Sequence, residues 1–451
     1  MSYPAQTNPD QATQDQAPSA SSGGGIRGAV RERTIAALRR LAGRRTGGAP
    51  FRLIPPDGMA IDFGQGEPVF TLRAYDNDGL DALASIDALN IAHAYMDGKL
   101  DFEGDLLEML RYQELLRDAH PSVYIWRRLH PILVGRPRTN PAWIALHYDA
   151  QNAQLHVSDA DWHTYTPGIY LTDDEELEPA AGRKLEAAFD GLRLQPGQRL
   201  LEIGCGWGGM TRFSAKRGVR VTGITLSRRQ KEYVEQKIAE EKLSAEVFYQ
   251  DFFTYQPAEK FDAISMMGVI EDLSDYRVVM RSLSRWLKPG GRVYLDFAAE
   301  RRRFDTHSFV TQHVWPGTFR MVYMPEFVDA VRESPFELTR VDNDRRNYHV
   351  WARIMYERWM RQRAEVVAEH GERLWRTFLL LFVAVAAMMD RRSHTATAYR
   401  VLLELPADSD GTFRTTPRVK ALDLVRGAVS AVRDGVLKLW PAKARGEASR
   451  G

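Results

Sequence analysis

The 451-residue chain predicts a doubly wound α/β fold with a mostly parallel sheet, preceded by a smaller N-terminal α+β domain. Three observations carry that prediction. From about residue 196, short apolar runs alternate with helical periodicity, as repeated strand-helix units require. A glycine-rich turn, RLLEIGCGWGG at 199–209, follows the first of those runs, where the carboxyl ends of parallel strands bind ligands. Between Phe51 and about Leu116, strand-like GEPVFTLRAYD precedes helical LASIDALNIAHAYMDG and LLEMLRYQELL, which marks a separate unit.

Taken in order, residues 1–48 form a leader and a basic helix. MSYPAQTNPDQATQDQAPSASSGGG is too rich in Gln, Ser, Ala, Pro and Gly to bury a core and reads as disordered. It has no basic start followed by an apolar stretch, so it is not a secretory signal. IRGAVRERTIAALRRLAGRR sets seven arginines against one acid, Glu32. Such a helix either lies on an anionic membrane surface or stays solvated. Residues 49–135 form the α+β domain, and proline-bearing HPILVGRPRTNPAW serves as a connector.

Residues 136–405 hold the large sheet. Its strands are RLLEIG, VRVTGITL, AEVFYQDF, FDAISMMG and GRVYLDF, and helices run through about 217, from Ser227, and through Trp286. TFLLLFVAVAAMM at 377–389 is too short to span a bilayer core of about 30 Å, so a buried helix is expected. In the tail, 406–451, Leu422, Val425, Val429, Val432, Val436 and Leu439 recur at helical spacing. That apolar face has three available partners: the protein itself, a second copy in a homodimer, or a membrane.

A net charge of +2 gives no case for nucleic acid. The single cysteine, Cys205, excludes an internal disulfide and points to a reducing, cytoplasmic setting, with peripheral membrane contact through the basic segments. No metal is expected.

The glycine loop is compatible with two ligand classes. Gly204, Gly206 and Gly209 fit G-x-G-x-x-G, the dinucleotide pattern, which keeps a nicotinamide oxidoreductase as an alternative. That fold expects an acid about 20 residues on for the ribose, yet the second strand ends Gly223, Ile224, Thr225, Leu226, Ser227. Glu202, at the end of the first strand, attracts a ligand with ammonium and sulfonium charge and repels a pyrophosphate. The sign favours S-adenosylmethionine.

With HYDAQN, LEIGCGWGG, VTGITLSRRQ, FDAISMMGVIED, LKPGG, FVTQHVWPG and YERW in place, the chain resembles the cyclopropane fatty acid synthases, including the mycolic acid methyltransferases, over about residues 50–405. HAYMDGKLDFEGDL is similar to that family's N-terminal module. The resemblance implies a Rossmann-like methyltransferase sheet and S-adenosylmethionine as cofactor. It places Tyr165 and Thr166 beside the cofactor, Gly204, Gly206 and Gly208 in its loop, and Thr225, Leu226, Ser227 and Gln230 on the ribose side. Asp251 and Phe252 stand at the adenine-contacting pair. Ser227 also reads as a helix cap, which is compatible.

The resemblance further implies methyl transfer to the alkene of an unsaturated fatty acyl chain, on a phospholipid, followed by proton removal by a base. Loss of a proton from the new methyl closes a cyclopropane ring; loss from a chain carbon gives a methyl-branched or methylene product. Aromatic faces suited to the cation are offered by Tyr165, Trp315, Tyr348 and Trp351. In the family the base is a bicarbonate held by Cys, Glu, His and Tyr. This chain keeps Glu271 and Tyr348 but has Pro167 and Asp296 at the other two positions, with Asp272 after Glu271. Losing donors and adding negative charge weakens anion binding and counts against bicarbonate. Catalytic roles therefore fall on Glu271, Asp296 and Tyr348. With the base site altered, a non-catalytic lipid- or cofactor-binding protein is the other alternative. Arg301, Arg302 and Arg303 either meet phosphate or form a solvated run.

Overall fold

The computed structural model describes residues 23–44, 48–117, 157–164, 166–273, 275–302, 308–314 and 320–413. The expectations for the leader up to residue 22, the connector, the C-terminal amphipathic helix, Tyr165, Trp315 and Arg303 lie outside those residues, while Gly23–Gly25, expected in the disordered leader, instead begin the first helix.

Strands β1 (Phe51–Ile54), β2 (Ile61–Phe63), β3 (Phe70–Ala74) and β4 (Leu100–Gly104) form a small sheet in the order β2-β1-β3-β4. Helix α1 (Gly23–Arg44) carries the arginine run, but Thr34, Ala37, Leu38 and Leu41 make one buried face against α2 (Asn77–Ser85). The basic segment is thus docked on its apolar side, with Arg39 and Arg40 exposed on the other. The expected continuous helix over LASIDALNIAHAYMDG is broken. Ile86 turns left-handed at φ 49° and ends α2, and the Asp87 carboxylate accepts from the amides of Leu89 and Asn90 to start α3 (Ala88–Met96). Likewise LLEMLRYQELL gives a short α4 (Leu106–Leu110) and a 3₁₀ turn.

The large sheet runs β11-β12-β9-β8-β5-β6-β7, built from β5 (Arg199–Ile203), β6 (Arg220–Thr225), β7 (Ala245–Tyr249), β8 (Phe261–Met267), β9 (Leu287–Glu300), β11 (Glu337–Asn343) and β12 (Ala396–Glu404). β10 (Val322–Tyr323) adds a parallel pair beyond β9. The neighbours β9-β8-β5-β6-β7 are all parallel, and β12 and β11 close the edge antiparallel. The order reverses between β5 and β8, the topological switch point where a crevice forms.

Burial explains the layers. β5 is buried at four of its five residues, as a central strand covered on both faces must be. On one face α5 (Leu177–Leu192) sets Leu177, Ala180, Ala181, Lys184, Leu185, Ala188 and Leu192 against the sheet at three- and four-residue spacing. Lys184 is the one charged member of that stripe. α6 (Gly209–Ala215), α7 (Arg228–Glu241), α8 (Tyr276–Trp286) and α9 (Met324–Arg332) complete the doubly wound arrangement.

Three further helices, α10 (Arg345–Arg361), α11 (Arg363–His370) and α12 (Glu372–Met389), tie the two sheets together. α12 contains the expected TFLLLFVAVAAMM run and buries Phe378, Leu379, Leu381, Phe382 and Val383. Among the described residues no helix is long and apolar enough to cross a membrane. Trp359 of α10 is fully buried and donates its indole N–H to the Trp375 carbonyl at 2.9 Å. Truncating such a side chain to Ala costs about 3–5 kcal/mol. Between the small sheet and α12 lies an apolar cavity of about 110 Å³, walled by residues such as Phe51, Phe70, Ile91, Met109, Phe309 and Leu380.

Candidate functional site

The glycine loop joins β5 to α6. Gly204, Gly206 and Gly208 have φ of 68°, 52° and 81°, a region that costs other residues strain. A Cβ on Gly204 would fall 2.3 Å from Val269 Cγ2, and one on Gly208 2.9 Å from Val234. At Gly206 such a Cβ would meet nothing within 4 Å. The loop packs tightly behind and is open in front.

That opening is a cavity of about 90 Å³ at the switch point, lined by Gly204, Gly206, Thr225, Leu226, Gln230, Asp251 and Phe252, and by Met267, Gly268, Val269 and Asp272 from the β8 side. Thr225 and Gln230 bond side chain to side chain at 2.8 Å, and the Ser227 hydroxyl accepts from the Gln230 amide at 3.3 Å to cap α7. Ser227 is buried behind this rim. The Asp251 carboxylate accepts from the Phe253 amide at 2.7 Å and fixes the turn that presents Phe252, whose ring meets Trp286 edge-on at 5.1 Å. An open backbone, a polar rim and an aromatic wall suit a nucleoside.

Glu202 is placed differently from its expected role. It is buried beneath the loop, outside the cavity lining, where its carboxyl accepts a hydrogen bond from the Thr211 hydroxyl. Burial pushes its pKa up to about 8. A group so placed braces the loop against α6.

The second half of the site is built on β8 and β9. Lys184 from α5 and Asp296 from β9 form an ion pair of 2.9 Å, each side chain only 2% exposed. Lys184 also donates to the Thr166 hydroxyl, which in turn donates to Asp296 Oδ2 at 3.3 Å. Among the described residues Asp296 therefore meets neither Arg301 nor Arg302 nor a helix amide. The Asp296 carbonyl accepts from the Gly268 amide at 3.0 Å, which ties the pair to the cavity wall.

Glu271 sits in the 3₁₀ turn Ile270–Asp272 after β8. Its Oε1 accepts from the Ala298 amide at 2.9 Å, two residues beyond Asp296 on the same strand. Burial, and then the neighbouring Asp272 and Asp296, push its pKa up to about 8; burial alone raises Asp272 to about 7. Among the described residues, Glu271 Oε2 and Asp296 Oδ1 are buried without a hydrogen-bond partner. Buried oxygens left free in this way are poised to accept a proton. Tyr348 of α10 is buried with Met321, Met388, Met389, Ala396 and Ala398, against Ala298, and its ring lies 6.4 Å from that of Trp351.

The structure thus gathers Thr166, Glu271 and Asp296 around β8 and β9, sets Tyr348 against the same strand, and places Gly204, Gly206, Thr225, Leu226, Gln230, Asp251 and Phe252 around the adjoining cavity. Sequence reasoning missed Lys184, Gly268 and Val269. The signal for Lys184 was available: a lysine on the apolar stripe of an otherwise clean amphipathic helix.

Comparisons with known proteins bear on the family and the fold. The family model described as mycolic acid cyclopropane synthetase matches residues 136–397. A sphingolipid C9-methyltransferase of Komagataella phaffii is 25% identical over 68% of this chain and 68% of its own length. A probable fatty acid methyltransferase of Mycobacterium tuberculosis is 30% identical over 55% of this chain and 60% of its own. Among solved structures, a mycolic acid cyclopropane synthase complexed with SAH and CTAB superposes with TM-score 0.54 at 23% identity, over 59% of this chain and 99% of that one. Coclaurine N-methyltransferase, bound to N-methylheliamine and SAH, gives 0.55 at 19% identity over 70% and 98%. These structural likenesses establish the fold.

Proposed function

This chain belongs to the mycolic acid cyclopropane synthetase family, and on that premise we propose that it methylates the carbon–carbon double bond of unsaturated fatty acyl chains carried by phospholipids. The donor is S-adenosylmethionine, which supplies an electrophilic methyl group when bound. The residues present fit it: the open face of Gly206, the Thr225–Gln230 rim and the Phe252 wall surround a cavity with a carboxyl, Asp272, on its far side. The β6 end carries no acid for a dinucleotide ribose, so the nicotinamide reading has no support there.

The chain's own groups do three things. They seat the donor at the switch point; they keep water from the reacting carbons behind buried Tyr348, Trp351 and Met389; and they remove a proton. Methylation of the alkene leaves a cation on the acyl chain, which becomes neutral when a C–H proton passes to a carboxylate and the bonding pair stays on carbon. The single observation that carries the assignment is the pair of buried carboxyls with a free oxygen each, Glu271 Oε2 and Asp296 Oδ1. Because Asp296 is fixed by Lys184 within the chain, the base is built in, in place of an exchangeable anion such as bicarbonate. We favour proton loss from a chain carbon, giving an open-chain methylated product.

Methyl transfer from labelled donor into monounsaturated phospholipid, with the fatty acids analysed by mass and proton NMR, tests this. Added mass without upfield cyclopropane protons is the expected result; a ring would overturn the open-chain product. Full turnover in both Glu271→Gln and Asp296→Asn would overturn the base.

A further inference from the structure

Beyond Tyr348 lies another cavity, of about 470 Å³, lined by Asp173, Arg346, His349, Asp390, Arg391 and Arg392, with Met389 as its apolar wall. Met389 also belongs to the cluster that buries Tyr348, so the same side chain borders both the charged cavity and that buried cluster. Asp173 follows the segment that begins at Thr166, and Arg346 Nη1 donates to the Tyr170 carbonyl of that segment at 2.7 Å. The cavity and the reacting centre therefore share three walls: the 166–173 segment, the start of α10 and the end of α12.

Its charges are unevenly matched. Arg346 pairs with Asp173 at 2.6 Å and Arg392 with Asp390 at 3.2 Å. Arg345 is held by the carbonyls of Met389, Asp390 and Ser393. Arg301, joined through its amide to the Thr395 carbonyl, adds a further cation nearby. Burial, and then Arg301, lower the Arg345 pKa, against the pull of Asp390 and Glu114. Among the described residues Arg301, Arg302 and Arg391 make no ion pair. Guanidinium groups present paired donors that match phosphate oxygens.

We propose that this arginine-lined cavity binds the phosphate of the lipid headgroup while the acyl chain passes Met389 towards Tyr348. The inference rests on the phospholipid reading above. It explains why a polar, cationic cavity adjoins a buried apolar centre: an amphiphile needs both, one after the other. Asp173 and Asp390 pair with Arg346 and Arg392 and would be displaced from them by a phosphate.

The test uses the full chain, the double variant Arg391→Ala/Arg392→Ala, and vesicles of monounsaturated phosphatidylglycerol and phosphatidylcholine in equal parts. The variant should need about tenfold more lipid or higher for half-maximal methylation, with kcat and donor affinity unchanged. Inorganic phosphate should compete with vesicles for the wild type and do so weakly for the variant. An unchanged lipid requirement overturns the headgroup site while leaving the phospholipid reading intact. A raised requirement without phosphate competition reduces the arginines to general surface charge and also overturns it. If the wild type methylates unsaturated chains on a protein carrier but none in vesicles, the phospholipid reading fails, and the site with it.

Discussion

The two halves of the site are built on opposite principles. Around β5, β6 and β7 the working parts are backbone: three left-handed glycines, a capped helix and a rim whose polar groups bond to each other. Around β8 and β9 they are buried charge, with Lys184 against Asp296 and two carboxylate oxygens left free. The first half is satisfied and rigid, as befits a surface that holds a donor in its ground state. The second carries uncompensated acceptor capacity, which costs stability and is worth keeping only where something must be accepted during the reaction.

The sharpest way to break this contrast is to separate the buried pair. Lys184→Met leaves the Asp296 carboxylate without its ammonium and should destabilise the fold by about 3–5 kcal/mol, read by denaturant unfolding. The double variant Lys184→Met/Asp296→Leu removes both charges and should recover most of that loss, because apolar groups of similar volume replace a desolvated pair at little cost. Turnover should not return with stability. A folded, active double variant would remove Asp296 from the chemistry and make the pair purely structural.

A smaller effect is expected on the other side. Gly204→Val drives a side chain into Val269 from a left-handed backbone, so it should cost about 2–4 kcal/mol and abolish donor binding by calorimetry. Gly206→Ala has room for its methyl group. It should cost only the backbone strain of about 1–2 kcal/mol while weakening donor affinity, since the methyl points into space the ligand needs. Equal losses of stability in the two would show that the loop is not open at Gly206.

How much of this was legible in sequence follows the same division. The β5–β7 half was readable because its signals are local: the glycine turn, Thr225 and Ser227 before a helix, and the Asp251–Phe252 pair all lie within a few residues of a strand end. The β8–β9 half depends on contacts across the chain. Lys184 and Asp296 are 112 positions apart, and nothing near Asp296 in the sequence names its partner. Glu202 shows the opposite failure. Its position at a strand end was right, but sequence does not tell which way a buried carboxyl turns, and Thr211 claims it. In the N-terminal region the split of α2 from α3 came from Ile86, a β-branched residue in a left-handed turn that no propensity anticipates.

Titration offers a gentler probe of the charged half. Glu271 has its pKa raised from an ordinary 4.5 to about 8, chiefly by burial. Between those values the folded protein holds a proton that the unfolded chain releases, so stability should fall as pH rises from about 4.5 to about 8 and level off above. Glu271→Gln should flatten that slope in unfolding curves taken across the range. Activity should move oppositely if the ionised group is the base, rising through about pH 8 in the wild type. A variant with the same slope as the wild type would assign the pH dependence elsewhere, with Glu202 the leading candidate because burial raises it to about 8 as well.

The smallest effect belongs to the satisfied half and tests whether its bonds merely hold shape. Ser227 caps α7 through the Gln230 amide, and Gln230 in turn pairs with Thr225 on the cavity rim. Ser227→Ala should cost about 1 kcal/mol, the usual worth of a cap. Loosening the first turn of α7 should raise the KM for the donor while leaving kcat unchanged, because no reacting atom touches Ser227. A fall in kcat at saturating donor would mean that the rim also aligns the methyl group, and that the two halves are less separate in function than in construction.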